Sequence, residues 1–184
     1  MRTRAYMRGF TLLEILIAVL LLALGIVGGV AMQLAALRMR HQAALLSQAT
    51  YVAAGLAERM RANAAQMHLA DGANPYLMLD YDALAEPDPP APSALCYGGA
   101  CDSAQLAMFD LYEVKIQVGQ YLPAGRILVC RDGSGKLAWT CGGAAGAPVV
   151  VKVGWHGKNP DGTPRKDVGG DFAPAVAVAV GATR

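Results

Sequence analysis

The chain has 184 residues, which is enough for one small domain and a membrane helix but not for two full domains. Its 16 basic and 14 acidic residues give a net charge of +2, and three of the basic residues stand before residue 9. Because the rest of the chain is almost balanced in charge, the composition gives no indication of nucleic-acid binding.

The first residues combine a short basic stretch with a long apolar run. Three arginines and no acidic residue precede Gly9, and the segment 10–37 is then almost entirely apolar. This run is longer than the roughly 20 residues that an α-helix needs to cross a hydrocarbon core. It is also longer than the roughly 7–15-residue apolar region of an ordinary secretory signal. We therefore expect one membrane-spanning helix over 10–37.

Glu14 is the exceptional residue of this apolar run. A carboxylate inside a membrane helix costs on the order of 2.5–3.5 kcal/mol to insert, so a partner is expected for it. One interpretation is local, because Thr11 and Glu14 have the S/T-x-x-E spacing of a capping box at a helix start. The other is a cation that neutralises the carboxylate, and the two roles are compatible.

Residues 9–14, Gly-Phe-Thr-Leu-Leu-Glu, resemble the leader junction of type IV prepilins. In that family a short basic leader ends in glycine, and glutamate is the fifth residue of the mature chain. The resemblance implies that prepilin peptidase cuts between Gly9 and Phe10 and that the Phe10 amine is then N-methylated. It also implies that Glu14 pairs with the Phe10 amine of a neighbouring subunit and sets its register during assembly. The N-terminus would be cytoplasmic and the head periplasmic.

The helix is predicted to continue beyond the apolar run to about Asn63. Its second half has one apolar stripe with spacings of three and four residues, which favours docking on a head domain. The stripe consists of Leu45, Ala49, Val52, Leu56 and Met60. In the first half, Gly25, Gly28 and Gly29 would let another helix approach closely. The proline that many major pilins carry near this depth is missing, so any unwinding of the helix would depend on these glycines.

The remaining sequence predicts a mixed head. Turn signals dominate 66–92, which is predicted to be loop. A second helix is expected over about 103–120, capped by Asp102 or Ser103. The predicted strands are 126–131, a return strand 136–141 after the turn signal Asp-Gly-Ser-Gly, 149–155 and 175–180, with a glycine-broken segment at 168–171.

These elements predict an α+β fold in which the long N-terminal helix packs on a small antiparallel sheet. The type IV pilin resemblance implies the same fold. The predicted division of the chain is a leader at 1–9, a transmembrane half-helix at 10–37, an amphipathic half-helix at 38–63 and a periplasmic head at 64–184.

The four cysteines all follow the apolar run, and they are Cys96, Cys101, Cys130 and Cys141. An even number of cysteines in an exported domain favours disulfides, and their spacing lacks the C-x2-C pairs of a structural zinc site. Of the three connectivities we predict the local one, Cys96–Cys101 and Cys130–Cys141. The second pair needs Cα atoms within ~7 Å, whereas a tight turn at 132–135 would place residue 137 opposite Cys130.

Further segments resemble the PilV-type minor pilins, the modification proteins of type IV pili. They comprise positions between Gln33 and Asn63, ending in Ala-Glu-Arg-Met-Arg-Ala-Asn, and a central patch at 101–111 with 122–126. This resemblance implies a minor pilin that joins other minor pilins and the major pilin in a complex that primes pilus assembly at the fibre tip. Its location would be the inner membrane first and the extracellular fibre afterwards, with motility and adhesion as downstream phenotypes.

Two alternatives remain open at this point. The leader also fits a minor pseudopilin of a type II secretion system, and an uncut leader would indicate an anchored periplasmic binding domain. An enzyme is not indicated, because the sequence contains no nucleophile elbow, P-loop or metal-spaced histidine and cysteine set. No cofactor or metal is predicted. The acidic residues of one loop could attract Ca²⁺ but lack EF-hand spacing, and they are Asp80, Asp82, Glu86 and Asp88.

Overall fold

The computed structural model describes residues 11–143, 146–157, 163 and 172–181. Its first element is the helix α1, Leu12–Ala62, as the hydrophobic pattern predicts. The chain divides into two compact units, Met1–Ala43 and Ala44–Arg184. The described part of the first unit is helical from Leu12 onward and exposed throughout.

The second unit has one hydrophobic core, and the last turns of α1 contribute one side of it. All five residues of the predicted stripe are buried, together with Ala53 and Ala57. Val52 and Leu56 retain no more than 2% of their exposure, and Met60 has none. This confirms the predicted apolar stripe, which packs in the core while the other faces of the helix stay more exposed.

Four short elements follow α1 where loop is predicted. These are the helix α2 (Ala64–Met67), two 3-10 turns (Asp71–Ala73 and Pro75–Met78) and the strand β1 (Asp80–Asp82). The prediction was wrong here because the elements are too short to show a periodic pattern. Tyr76 and Tyr81 hold the segment in place, since each is at least 99% buried in the core.

The helix α3 spans Ser103–Tyr121, close to the predicted 103–120. Asp102 is its N-cap, and the cap is a reciprocal box with Gln105. The Gln105 amide donates to the Asp102 carboxylate at 2.8 Å, and the Asp102 amide donates to the Gln105 side chain at 3.1 Å. Both donors would otherwise be unsatisfied, so this box fixes where the helix begins.

Within the described residues, the sheet has four antiparallel strands in the order β1-β2-β3-β4. After β1 come β2 (Gly125–Arg131), β3 (Val149–Trp155) and β4 (Val176–Gly181), which confirms three of the predicted strands. The inner face contributes to the same core as α1 and α3. Its buried members include Ile127, Val129, Val151, Val153 and Trp155.

The predicted return strand at 136–141 is wrong, because β2 pairs with β3 instead. We call residues 132–142 the strap, since they lie on the outer face of the sheet. The ring of Trp139 approaches Gly154 so closely that a Cβ there would stand 2.9 Å from it. Lys152 donates to the carbonyls of Ala138 and Thr140 at 2.7 and 3.0 Å. Carbonyls bound to this lysine are not free for a strand ladder. The predicted broken segment 168–171 lies outside the described residues.

A buried ion pair joins the strap to β3. Lys152 Nζ lies 2.5 Å from Asp132 Oδ2, and the two side chains are 1% and 3% exposed. The other carboxylate oxygen accepts from the amides of Ser134 and Gly142 at 2.8 and 3.3 Å. The hydrogen bond from Lys152, reinforced by these donors, holds the pKa of Asp132 well below its usual range.

Both predicted disulfides are present. Cys96 and Cys101 have their Cα atoms 5.9 Å apart, and for Cys130 and Cys141 the distance is 6.3 Å. The second pair reaches bonding range because the strap folds across the sheet instead of returning as a tight hairpin. The turn geometry that made this pair doubtful is therefore not formed.

We expect Leu56→Ala to reduce the free energy of unfolding by about 2–5 kcal/mol, because removal of this buried side chain leaves a cavity in the core. Leu46→Ala is the matched control on the same helix, since Leu46 is 46% exposed. Its effect should stay within about 0.5 kcal/mol. Denaturant unfolding of both variants tests this, and equal losses would contradict the assigned core face.

Asp132 should make the stability of the head depend on pH. Its folded-state pKa is depressed below the ordinary 3.8, so its contribution is present above that pH and is lost as the pH falls further. Unfolding free energies measured from about pH 6 downward should therefore fall more steeply for the wild type than for Asp132→Asn. Parallel curves would show that Asp132 titrates normally in the folded chain.

Candidate functional site: the N-terminal junction and helix α1

The predicted junction lies at the very start of the described chain. Gly9 and Phe10 are outside the described residues, and Glu14 is in the first turn of α1. Thr11 directly precedes the helix, and its hydroxyl oxygen accepts from the Glu14 amide at 3.2 Å. The Thr11 carbonyl accepts from the amides of Glu14 and Ile15 at 3.1 and 3.3 Å. Thr11 is thus the N-cap, but the described contacts form only this half of the predicted capping box, because the Glu14 side chain does not accept from the Thr11 amide.

The carboxylate of Glu14 is not consumed by this cap. It is exposed, and within the described part of the chain it has no hydrogen bond or ion pair. The amide of Glu14 is satisfied by Thr11, whereas its side chain remains available. On an apolar helix, a carboxylate without a partner among the described residues is costly unless another group neutralises it.

The first half of α1 is apolar on all of its faces. Its large side chains are exposed, as for Leu12 at 81% and Val27 at 69%. Among the described residues, α1 is the one helix long and apolar enough to span a membrane, judged by length and composition. Such a surface is unfavourable in water and fits lipid or a bundle of similar helices.

The three glycines of this half lie at an open surface. A Cβ built at Gly25, Gly28 or Gly29 meets no other atom within 4 Å. They leave a shallow notch in the helix, of the kind that lets a second helix approach closely.

The C-terminal end of α1 is fixed by a polar cluster that sequence reasoning missed. Tyr76 donates to the buried carboxylate of Asp110 at 2.7 Å, and Arg59 binds the same carboxylate at 3.2 Å. Asn63 donates to the Tyr76 hydroxyl at 3.1 Å and to the carbonyl of Ser103 at 2.8 Å. Burial and the contact with Asp110 raise the pKa of Tyr76. The cluster joins the end of α1 to α3.

A sequence signal for this cluster does exist. Asp110 stands among Ala107, Leu111 and Val114 on the buried face of α3, where a charged residue needs a partner. Asn63, at the predicted end of the helix, is 5% exposed, and its side-chain amide donates two hydrogen bonds. The partner residue Tyr76 lies in the segment predicted to be loop, so its position could not be inferred.

Two of the four carboxylates of the acidic loop already take part in ion pairs. Asp80 forms a two-point contact with Arg126 at 3.1 Å, and Glu86 binds Lys115 at 3.3 Å. In the described ranges no group of three histidine, cysteine or acidic side chains is placed to hold a metal ion. These carboxylates stabilise the loop on its neighbours.

Residues 4–30 match the family model described as the prokaryotic N-terminal methylation motif. This motif is the type IV prepilin leader. The match includes the junction and α1 as far as Val30, and it supports a type IV pilin-like chain that is a substrate of prepilin peptidase. Together with the apolar helix, it fits a membrane-anchored structural protein. No curated protein and no solved structure matches the chain significantly.

The second unit should fold without the first. All buried residues of α1 lie at or beyond Leu45, so a fragment comprising residues 44–184 retains the whole core. We expect this fragment to be soluble without detergent, to unfold cooperatively and to form both disulfides. Size-exclusion chromatography, thermal circular dichroism and intact mass test this, with the full chain as the control. Aggregation of the oxidised fragment would contradict the assignment of the core.

Proposed function

We propose that the protein is a minor pilin of the PilV type that joins a minor-pilin complex and primes type IV pilus assembly at the fibre tip. The observation that carries the proposal is the methylation-motif match over residues 4–30, which includes Gly9, Phe10 and Glu14. Prepilin peptidase would cut after Gly9, and the amine exposed on Phe10 would be methylated.

The charges at the junction explain why Glu14 is kept in an apolar helix. Cleavage creates a cationic amine on Phe10, close to the start of the membrane segment. An amine and a carboxylate are each costly in lipid, and they become tolerable when they neutralise one another. Because Thr11 already caps the helix, the Glu14 carboxylate is available to a neighbouring subunit. We propose that this pairing sets the axial register as the subunit leaves the membrane.

The assignment to the minor pilins rests on the resemblance at positions 33–63, 101–111 and 122–126. Two residues of the first segment, Arg59 and Asn63, take part in the polar cluster that fixes the end of α1. These positions therefore have a structural role in the head, which is compatible with any pilin of this architecture. The proposed partners are other minor pilins and the major pilin, first in the inner membrane and then in the extracellular fibre.

The second candidate is a minor pseudopilin of a type II secretion system, because the leader motif is common to both machines. Deletion of the gene separates the two. Loss of surface pili with normal protein secretion supports the pilus assignment. Retention of exported enzymes in the periplasm, with normal piliation, would favour the secretion machine.

Glu14→Ala is the sharpest test of the proposed pairing. The variant should be processed to the same N-terminus as the wild type, because the junction residues are unchanged. Its incorporation into sheared fibres should fall by at least about tenfold, since an unpaired amine is left in an apolar environment. Quantitative immunoblots of fibre and membrane fractions measure this.

Two controls accompany that experiment. Glu14→Gln keeps the size and polarity of the side chain but removes its charge, so it should be equally defective. Glu58→Ala removes a carboxylate that is 72% exposed elsewhere on α1, and it should assemble normally. Normal incorporation of Glu14→Ala would overturn the pairing.

A further inference from the structure

The strap brings Cys141 to Cys130 by contacts that do not involve sulfur. Cys141 stands between two residues that the buried ion pair holds. On one side the carbonyl of Thr140 accepts from Lys152 at 3.0 Å, and on the other the amide of Gly142 donates to Asp132 at 3.3 Å. Both neighbours of Cys141 are therefore anchored to a single pair of opposite charges.

The other half of the disulfide is placed by the sheet. Cys130 lies in β2 opposite Val150, and Lys152 is two residues further along β3. Residues two apart on a strand share one face, so the lysine and the pairing position of Cys130 belong to the same side of the sheet. The ladder between β2 and β3 thus fixes Cys130 relative to Lys152 before any sulfur bond exists.

The ion pair is well satisfied in its buried position. Lys152 has three acceptors, namely the Asp132 carboxylate and the carbonyls of Ala138 and Thr140. Asp132 has the lysine and two backbone amides as donors. Burial of a charge pair is offset only when the remaining hydrogen-bonding capacity of both groups is used, as it is here. The buried ion pair is consequently much more stable when the strap is closed than when it is half open.

Aromatic contacts hold the middle of the strap. The ring of Trp139 lies over the Arg126 guanidinium at 4.7 Å, and its indole N–H donates to the carbonyl of Phe172. The rings of Trp139 and Phe172 meet edge to face with their centroids 5.5 Å apart. These contacts also need no disulfide, so the strap has a complete set of noncovalent anchors.

We propose that the buried Lys152–Asp132 ion pair closes the strap in the reduced chain and thereby selects the Cys130–Cys141 pairing. The bond forms when a disulfide oxidant such as oxidised glutathione takes up the two electrons and two protons of the thiols and is itself reduced to two thiols. Four cysteines allow three connectivities, and sequence separation alone does not choose among them. A closed strap raises the effective concentration of one thiol toward the other for this pair only. The disulfide then locks a conformation that the charges have already selected.

The test compares the two disulfides within one chain. The full-length protein in detergent is equilibrated with a series of glutathione buffers, and each cysteine is quantified by differential alkylation and peptide mass spectrometry. We expect Lys152→Met to lower the oxidation equilibrium constant of Cys130–Cys141 by about tenfold or more, because the strap opens when the thiols are reduced. The Cys96–Cys101 pair is the internal reference and should be unchanged.

A second variant covers the case in which Lys152→Met leaves a buried carboxylate too costly for folding. Lys152→Met combined with Asp132→Leu leaves no buried charge unpaired, so the head should fold. The strap nevertheless loses the hydrogen bonds that these two side chains make to its amides and carbonyls. The double variant should show the same selective loss and yield non-native pairings when the fully reduced chain is reoxidised. Lys115→Met is the matched control. Lys115 lies on α3, and its replacement breaks an ion pair with Glu86 that is away from the strap.

The outcomes separate clearly. A selective shift of Cys130–Cys141 in both strap variants, with no shift in Lys115→Met, supports the proposal. An unchanged oxidation equilibrium of Cys130–Cys141 in the strap variants would show that the disulfide, not the ion pair, holds the strap closed. An equal shift of both disulfides would mean that the ion pair acts only through the stability of the whole head, and it would also overturn the proposal.

Discussion

The constraint on which the structure depends is that one helix has to satisfy two different surroundings. Up to about residue 37, α1 is apolar on every face and its side chains are exposed. From Leu45 onward only one stripe is apolar, and that stripe is buried in the core of the head. The change in pattern along a single continuous helix divides the chain into a part suited to lipid or to similar helices and a part that organises a folded domain.

Among the described residues, four charged side chains are buried or lie in apolar surroundings, and they fall into three cases. Asp110 is neutralised within the head by Arg59 and accepts a hydrogen bond from Tyr76. Lys152 and Asp132 neutralise each other, and Lys152 also donates to two carbonyls of the strap. Glu14 alone has no partner in the described part of the chain. Because a charged side chain in apolar surroundings needs a partner, an intermolecular contact is expected at Glu14. The proposed function therefore centres on this residue.

Much of the fold could be predicted, because long periodic segments carry a strong signal. The stripe of α1, the cap and length of α3 and three of the four strands follow directly from spacing and capping residues. The strand β1 was missed because three residues show no period. The strap was mistaken for a strand because Asp-Gly-Ser-Gly at 132–135 is a typical hairpin-turn sequence, whereas the contacts that redirect the chain come from Lys152 in β3. Local sequence patterns cannot predict a contact with a buried lysine that is distant in the sequence.

The intact mass and the N-terminal residue of the chain purified from its native membrane test the central claim most directly. A mature protein that starts at Phe10, with one additional methyl group on its amine, is the predicted result. It would place the chain in the pilin pathway through the junction formed by Gly9 and Phe10. A chain that still starts at Met1, in cells with an active prepilin peptidase, would contradict the account and favour an anchored periplasmic domain.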